Sequence, residues 1–168
     1  MQPLVSIIMG STSDLQIMEA AAKFLNEMQI PFEINALSAH RTPEQVGDFA
    51  KTASGRGIRV IIAAAGMAAH LPGVIASMTT LPVIGVPIKA SLEGLDSILS
   101  IVQMPPGIPV ATVGINSSLN AAILATEILA LSDTDVKGKL SKFKADLKHK
   151  IIKANEELAQ IKYDYKVG

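Results

Sequence analysis

The sequence predicts an α/β fold: a parallel sheet with helices on both faces. Three observations predict it. Five short apolar runs alternate with longer segments of helical spacing. The runs are largely apolar throughout rather than alternating, as strands buried on both faces are. With 168 residues, 49% hydrophobic and 18% charged, the chain can bury a sizeable core as one unit.

The elements follow in chain order. Residues 4–9 (LVSIIM) read as the first strand. In "STSDLQ", Ser13 offers an N-cap with Gln16 three residues on, and Leu15, Met18, Ala22, Leu25 and Met28 share one face of a helix over 14–28. Residues 32–37 (FEINAL) form the second strand. "RTPEQ" offers Thr42 as N-cap, Pro43 at the first helical position and Gln45 three residues on, so a helix is expected over 43–54 with Val46, Phe49, Ala50 and Ala53 inward. Strands at 59–65, 81–86 and 108–113 and helices at 94–103 and 117–131 complete the alternation. Beyond Asp133 the character changes. Nine of the fifteen basic residues lie there, all lysines, around a seam of Val136, Leu140, Phe143, Leu147, Ile151, Ala154, Leu158, Ile161 and Tyr165. That is an amphipathic helix, expected to break near Gly138, whose seam packs on the domain or on another subunit. Residues 1–132 thus form the α/β core, and 133–168 a helical extension of one domain.

Composition excludes several classes. Zero formal net charge argues against a nucleic-acid binder relying on overall charge, and interspersed acidic residues make the lysines a solvated face. The absence of cysteine removes disulfides, thiolate nucleophiles and thiolate metal sites. No His, Asp or Glu pair shows metal-ligand spacing, so no metal is expected. The start "MQPLVSIIMGSTSD" lacks a basic leader, and "VIIAAAGMAAHLPGVIASM" is broken by Gly66, His70, Pro72 and Gly73, so no membrane partner and a cytoplasmic location are expected. The apolar excess reflects either surface buried between subunits or an alanine-rich core.

In a parallel sheet the loops leaving strand C-termini share one edge, where ligands bind. Gly10-Ser11-Thr12-Ser13-Asp14 is small and hydroxyl-rich at a helix start. It either binds phosphate on free backbone N–H groups, with Asp14 accepting from ribose hydroxyls, or it merely caps the helix. No G-x-x-x-x-G-K-[ST], no G-x-G-x-x-G after the first strand and no G-x-S-x-G occurs. In "LSAHRTPEQV", Arg41 suits bidentate contact with phosphate or carboxylate, and His40 is either a proton-transfer group or a surface histidine bonded to loop backbone. Gly66–Gly73 holds His70 among small residues that allow close approach to a flat ligand; helix packing, with Pro72 and Gly73 as breakers, is the other reading. His149 lies on the solvated tail.

In order, "MGSTSD", "SAHRTP", "GMAAHLPG" and "GLDSILSIVQMPPGIPVAT" resemble the N5-carboxyaminoimidazole ribonucleotide mutase family of de novo purine biosynthesis, from about Val5 to Leu131. The resemblance implies a flavodoxin-like three-layer α/β/α sandwich with five parallel strands, assembled as a homo-octamer. It implies an isomerase that moves a carboxyl group from the exocyclic nitrogen to ring carbon 4 of an aminoimidazole ribonucleotide, with neither metal nor organic cofactor. Carried over by motif, His40 is the catalytic acid/base, Ser11, Asp14 and Arg41 hold phosphate and ribose with Gly10, Ser13 and Ser38 nearby, and Ala65, Gly66, Met67 and His70 approach the imidazole. The chain departs from the common pattern at Ala64-Ala65-Gly66-Met67, where Gly-Ala-Gly-Gly is usual, at Pro106, in "GINSSLN", and in a segment after Val86 one residue shorter. A carboxylase branch that uses aminoimidazole ribonucleotide and CO2 directly lacks the "AAHLPG" run, which favours the mutase. The rival of another class is a non-catalytic module holding FMN or a nucleotide; 4% aromatics and no Trp disfavour a stacked flavin.

Overall fold

The computed structural model describes residues 1–167. Five parallel strands form one sheet in the order β2-β1-β3-β4-β5: β1 Val5–Met9, β2 Phe32–Ala36, β3 Val60–Gly66, β4 Val83–Ile88 and β5 Ala111–Thr112. This is the doubly wound flavodoxin-like order. β1 takes β2 on one side and β3 on the other, so the chain reverses its winding direction there. Helices α1 (Leu15–Glu27) and α5 (Ser118–Ala130) cover one face. Helices α2 (Pro43–Thr52), α3 (Leu71–Ala76) and α4 (Leu95–Val102) cover the other, and α6 (Thr134–Ala159) packs beyond α5.

The pleat explains the two cores. Val5, Ile7 and Met9 of β1 join Val60, Ile62 and Ala64 of β3 beneath α1 and α5. Ile8, Ile61, Ala63 and Ala65 point the other way, to Val46, Phe49, Leu71, Ile75 and Ile101. Both sets are buried, hence the near-continuous apolar runs in the sequence. Fully burying one such aliphatic side chain is worth about 1.5–3 kcal/mol.

The ends of α1, α2, α4 and α5 fall within one or two residues of the sequence expectation. Four features differ. β5 is only two residues long, because Pro109 cannot donate to a ladder and the strand lies at the edge. β4 starts and ends two residues later than expected. α3 is an extra helix: Pro72 starts rather than breaks it, since a first-turn residue needs no N–H donor. α6 runs through Gly138 without a break, capped by Asp133, whose Oδ1 accepts from the N–H groups of Asp135 and Val136, and it stops at Ala159, so Ile161 and Tyr165 of the expected seam lie beyond the helix. Its seam divides. Val136 and Leu140 are buried, and Phe143 meets Phe24 edge to face at 5.0 Å. Leu147, Ile151, Leu158 and Ile161 are exposed, as is His149. Among the described residues no helix is long and apolar enough to cross a membrane.

Candidate active site

Three strand-to-helix loops meet above the C-terminal ends of β1, β2 and β3, where the winding reverses. They enclose a cleft of about 550 Å³. Every site residue named from the sequence lines it: Gly10, Ser11, Ser13 and Asp14 after β1, Ser38, His40 and Arg41 after β2, and Ala65, Gly66, Met67 and His70 at the end of β3 and beyond. A wider depression of about 720 Å³ at the opposite end of the sheet offers no comparable chemistry. Glu33, its one charged side chain, is already paired with Arg56 at 2.8 Å.

The β1 loop is not capped as the spacing predicts. Ser11, not Ser13, caps a short 3-10 turn over Thr12–Asp14, its hydroxyl accepting from the Ser13 N–H at 3.3 Å. α1 then starts at Leu15 with no side-chain cap bond from Asp14. Asp14 is therefore not consumed by capping. Its carboxylate accepts a long bond from the Ser13 hydroxyl, 3.4 Å. Burial raises its pKa above the ordinary 3.8, against the lowering effect of the Ser13 side chain and the Ser11 backbone. Half-buried and poorly solvated, Asp14 has acceptor capacity left for hydroxyl donors.

The β2 loop is closed by Thr42, which also departs from its expected role. Its hydroxyl makes no helix cap bond. It turns back to accept from the Ser38 N–H at 2.9 Å and to donate to the Ser38 carbonyl at 3.1 Å. The Thr42 N–H donates to the same carbonyl at 2.9 Å, so Ser38 to Thr42 form a locked turn. Ser38 Oγ in turn accepts from the Arg41 N–H (3.2 Å) and Nε (3.4 Å). Arg41 Nη2 crosses to the β1 loop and donates to the Gly10 carbonyl at 2.8 Å. No carboxylate among the described residues pairs with Arg41. A positioned, solvent-facing guanidinium with unused donors suits an anionic ligand.

His40 stands beside it, bonded not to loop backbone but to the β3 loop. Its Nε2 lies 2.8 Å from Nδ1 of His70, with the rings crossed at 83°. One proton sits between these nitrogens, so the tautomers of the two rings are linked. The contact spans 30 residues of sequence and links the second and third loops. Ala39, Ala68, Leu71 and Ala90 also line the cleft and were not singled out from the sequence. The first three lie in or beside the quoted motifs; Ala90 was missed because β4 extends two residues past its expected end. Among the described residues no group of three or more His, Asp or Glu is placed to hold a metal.

Comparison with known proteins fits this geometry. The family model for AIR carboxylase matches residues 4–150. The N5-carboxyaminoimidazole ribonucleotide mutase of Pyrococcus abyssi is 60% identical over 147 residues, 87% of this chain and 84% of that protein. The phosphoribosylaminoimidazole carboxylase of Candida glabrata is 51% identical over 97% of this chain but only 29% of its own length. Treponema denticola PurE superposes with a TM-score of 0.82 at 31% identity, covering 93% of this chain and 98% of that one. With the matched region spanning all three loops of the cleft, the chain belongs to the AIR carboxylase family.

Proposed function

We propose that the protein is an N5-carboxyaminoimidazole ribonucleotide mutase, an isomerase of purine biosynthesis in which residues 1–168 act as one catalytic domain. The observation that carries this is the convergence of an unpaired Arg41, a half-buried Asp14 and the His40–His70 pair on one cleft, within a chain 60% identical to a protein of that name. Arg41, with Ser11, Ser13, Ser38 and the Gly10 backbone, would hold the phosphate, and Asp14 would accept from ribose hydroxyls. The ring would lie against Ala65, Gly66, Met67 and His70.

The chemistry needs one proton in and one proton out. The carbamate N–C bond breaks, its electron pair stays on nitrogen, and nitrogen takes a proton, leaving CO2 and an electron-rich aminoimidazole. Carbon 4 then attacks CO2 and loses its own proton. His40 serves both steps and ends in its starting state. One ring nitrogen is held by His70, and no partner is present for Nδ1 among the described residues. General acid–base catalysis of this kind contributes about 10²–10⁴-fold. No step calls for a cofactor or metal.

The same reading extends to assembly and location. Leu92, Leu95, Leu99 and Val102 lie exposed at and along α4, and the outer half of α6 exposes its apolar seam. These surfaces support the homo-octamer implied by the resemblance, which light scattering would measure. The reading puts the enzyme in the cytoplasm, with a small ribonucleotide as its ligand.

The deciding assay follows formation of 4-carboxy-5-aminoimidazole ribonucleotide from N5-carboxyaminoimidazole ribonucleotide, and separately from aminoimidazole ribonucleotide plus low bicarbonate. Turnover in the first supports the mutase. Turnover in the second alone establishes direct carboxylation, the reading the name of the fungal relative favours.

A further inference from the structure

The chain holds seven methionines and no cysteine, so every oxidisable sulfur in it is a thioether. Met9, Met18 and Met28 are buried in the core under α1 and α5. Met104 is half-buried, its sulfur turned to α3, where it would stand 2.9 Å from a Cβ at Gly73. The Met78 sulfur packs on α2, 3.6 Å from the same point on Gly47. Met1 and Met67 remain, at 113% and 61% exposure.

These two lie at opposite ends of the sheet. Met1 borders the depression beside the start of β2, and Met67 lines the cleft with His40, His70 and Arg41. Met67 directly follows β3, with a left-handed backbone of φ +56°. On one side of it Gly66 pairs with Ile88 in the sheet, and on the other Ala69 is buried in the second core. Its place at the cleft is therefore set by the sheet, and only its rotamer is free.

We propose that Met67 is an oxidation site through which peroxide reversibly shuts the cleft. The inhibition rests on the carboxyl-transfer reading above; the oxidation does not. The sulfur lone pair attacks one peroxide oxygen, the O–O bond breaks, and the second oxygen leaves as water. Sulfur is oxidised to the sulfoxide, and the peroxide is reduced. An apolar, flexible side chain becomes a polar, chiral one. Its new oxygen is an acceptor that holds water in the wall against which the flat ring would lie. It also competes for the ring N–H groups of His40 and His70, whose pairing links their tautomers. Glycine is usual at this place in the family, so the carboxyl transfer itself needs no side chain here. Oxidation adds an obstacle that glycine cannot form, and the response is this chain's own.

The test treats the full-length protein with hydrogen peroxide and quenches it with catalase. Peptide mass spectrometry finds the methionines that gain an oxygen, and initial rates follow conversion of N5-carboxyaminoimidazole ribonucleotide, each protein against its own untreated rate. Met67 and Met1 are expected to oxidise ahead of the other methionines. The wild-type rate is expected to fall roughly tenfold in step with Met67 and not with Met1. It should return on treatment with the two methionine sulfoxide reductases, one for each epimer. Met67→Leu and Met67→Gly lack the sulfur and are expected to hold their own rates through the same exposure. A wild type that keeps its rate with Met67 fully oxidised, variants that lose theirs as fast, or a loss the reductases do not reverse overturns the proposal. So does oxidation of Met78 or Met104 ahead of Met67. An untreated wild type that forms no product overturns the carboxyl-transfer reading, and with it the inhibition, while the order of oxidation still decides the site.

Discussion

Arg41→Ala gives the sharpest test of the ligand's orientation. The guanidinium donates from Nη2 to the Gly10 carbonyl at 2.8 Å and makes a long contact from Nε to Ser38 Oγ at 3.4 Å. That leaves both Nη1 protons and one Nη2 proton for a ligand. Charge-assisted hydrogen bonds are worth about 1.5–3 kcal/mol, and 1.36 kcal/mol is tenfold, so KM should rise roughly 10- to 150-fold. The phosphate lies away from the reacting carbon, so kcat should fall far less. Arg41 is exposed and its protein contacts can be replaced by water, so stability should move by no more than about 0.5 kcal/mol. Arg41→Lys keeps the charge but not the fork and should lie between the two. Initial rates over a range of substrate concentrations, with a melting curve for each variant, separate these effects. A KM within about twofold of wild type, or a fall in kcat alone, would refute the assignment of Arg41 to the phosphate.

His40→Asn should abolish turnover while preserving ligand binding by calorimetry, and retention of more than about a tenth of wild-type turnover would remove it as the acid/base group. His70→Asn should cost less than about tenfold in kcat, because His70 carries neither of the two proton transfers and both rings are open to solvent that can replace its bond to His40. Asp14→Asn should raise Tm at neutral pH yet raise KM. A carboxylate whose folded pKa is raised weakens the fold as pH climbs through that pKa, so the stability gain should shrink as pH falls toward the ordinary 3.8, and a pH-independent gain would refute the cause assigned. Gly85→Ala should cost about 1–3 kcal/mol, because the new Cβ would stand 2.4 Å from the Cγ2 of the buried Ile101. At about 2–4 °C per kcal/mol that is visible by calorimetry, and Ile101→Ala should relieve it, with additivity in the double variant counting against the packing argument. Gly73→Ala is the mild control, since its close neighbour at 2.9 Å is the flexible end of Met104.

Local pattern determined much of this protein. Apolar runs of strand length and helical spacing located five strands and the longer helices. The strand-to-helix order placed "GSTSD", "SAHRTP" and "GMAAHLPG" on one edge, because parallel strands send all such loops to their C-terminal ends. Each of those readings depends on residues a few positions apart. The tertiary structure decided what depends on contacts across the chain. Ser11 replaced Ser13 as the cap and left Asp14 free for the cleft. Thr42 turned from helix cap to loop lock. Gly138 stayed helical and carried α6 past the body. Arg41 met Gly10 across 31 residues because β2 and β1 are neighbours, and His40 met His70 across 30 because β2 and β3 flank β1 and their loops meet over its end. Composition gives no sign of such meetings, since sheet order and register set them through the packing of both faces at once. Met67 shows the same division: its place after the third strand is written in the sequence, but its left-handed backbone, φ +56°, is set only in the folded chain.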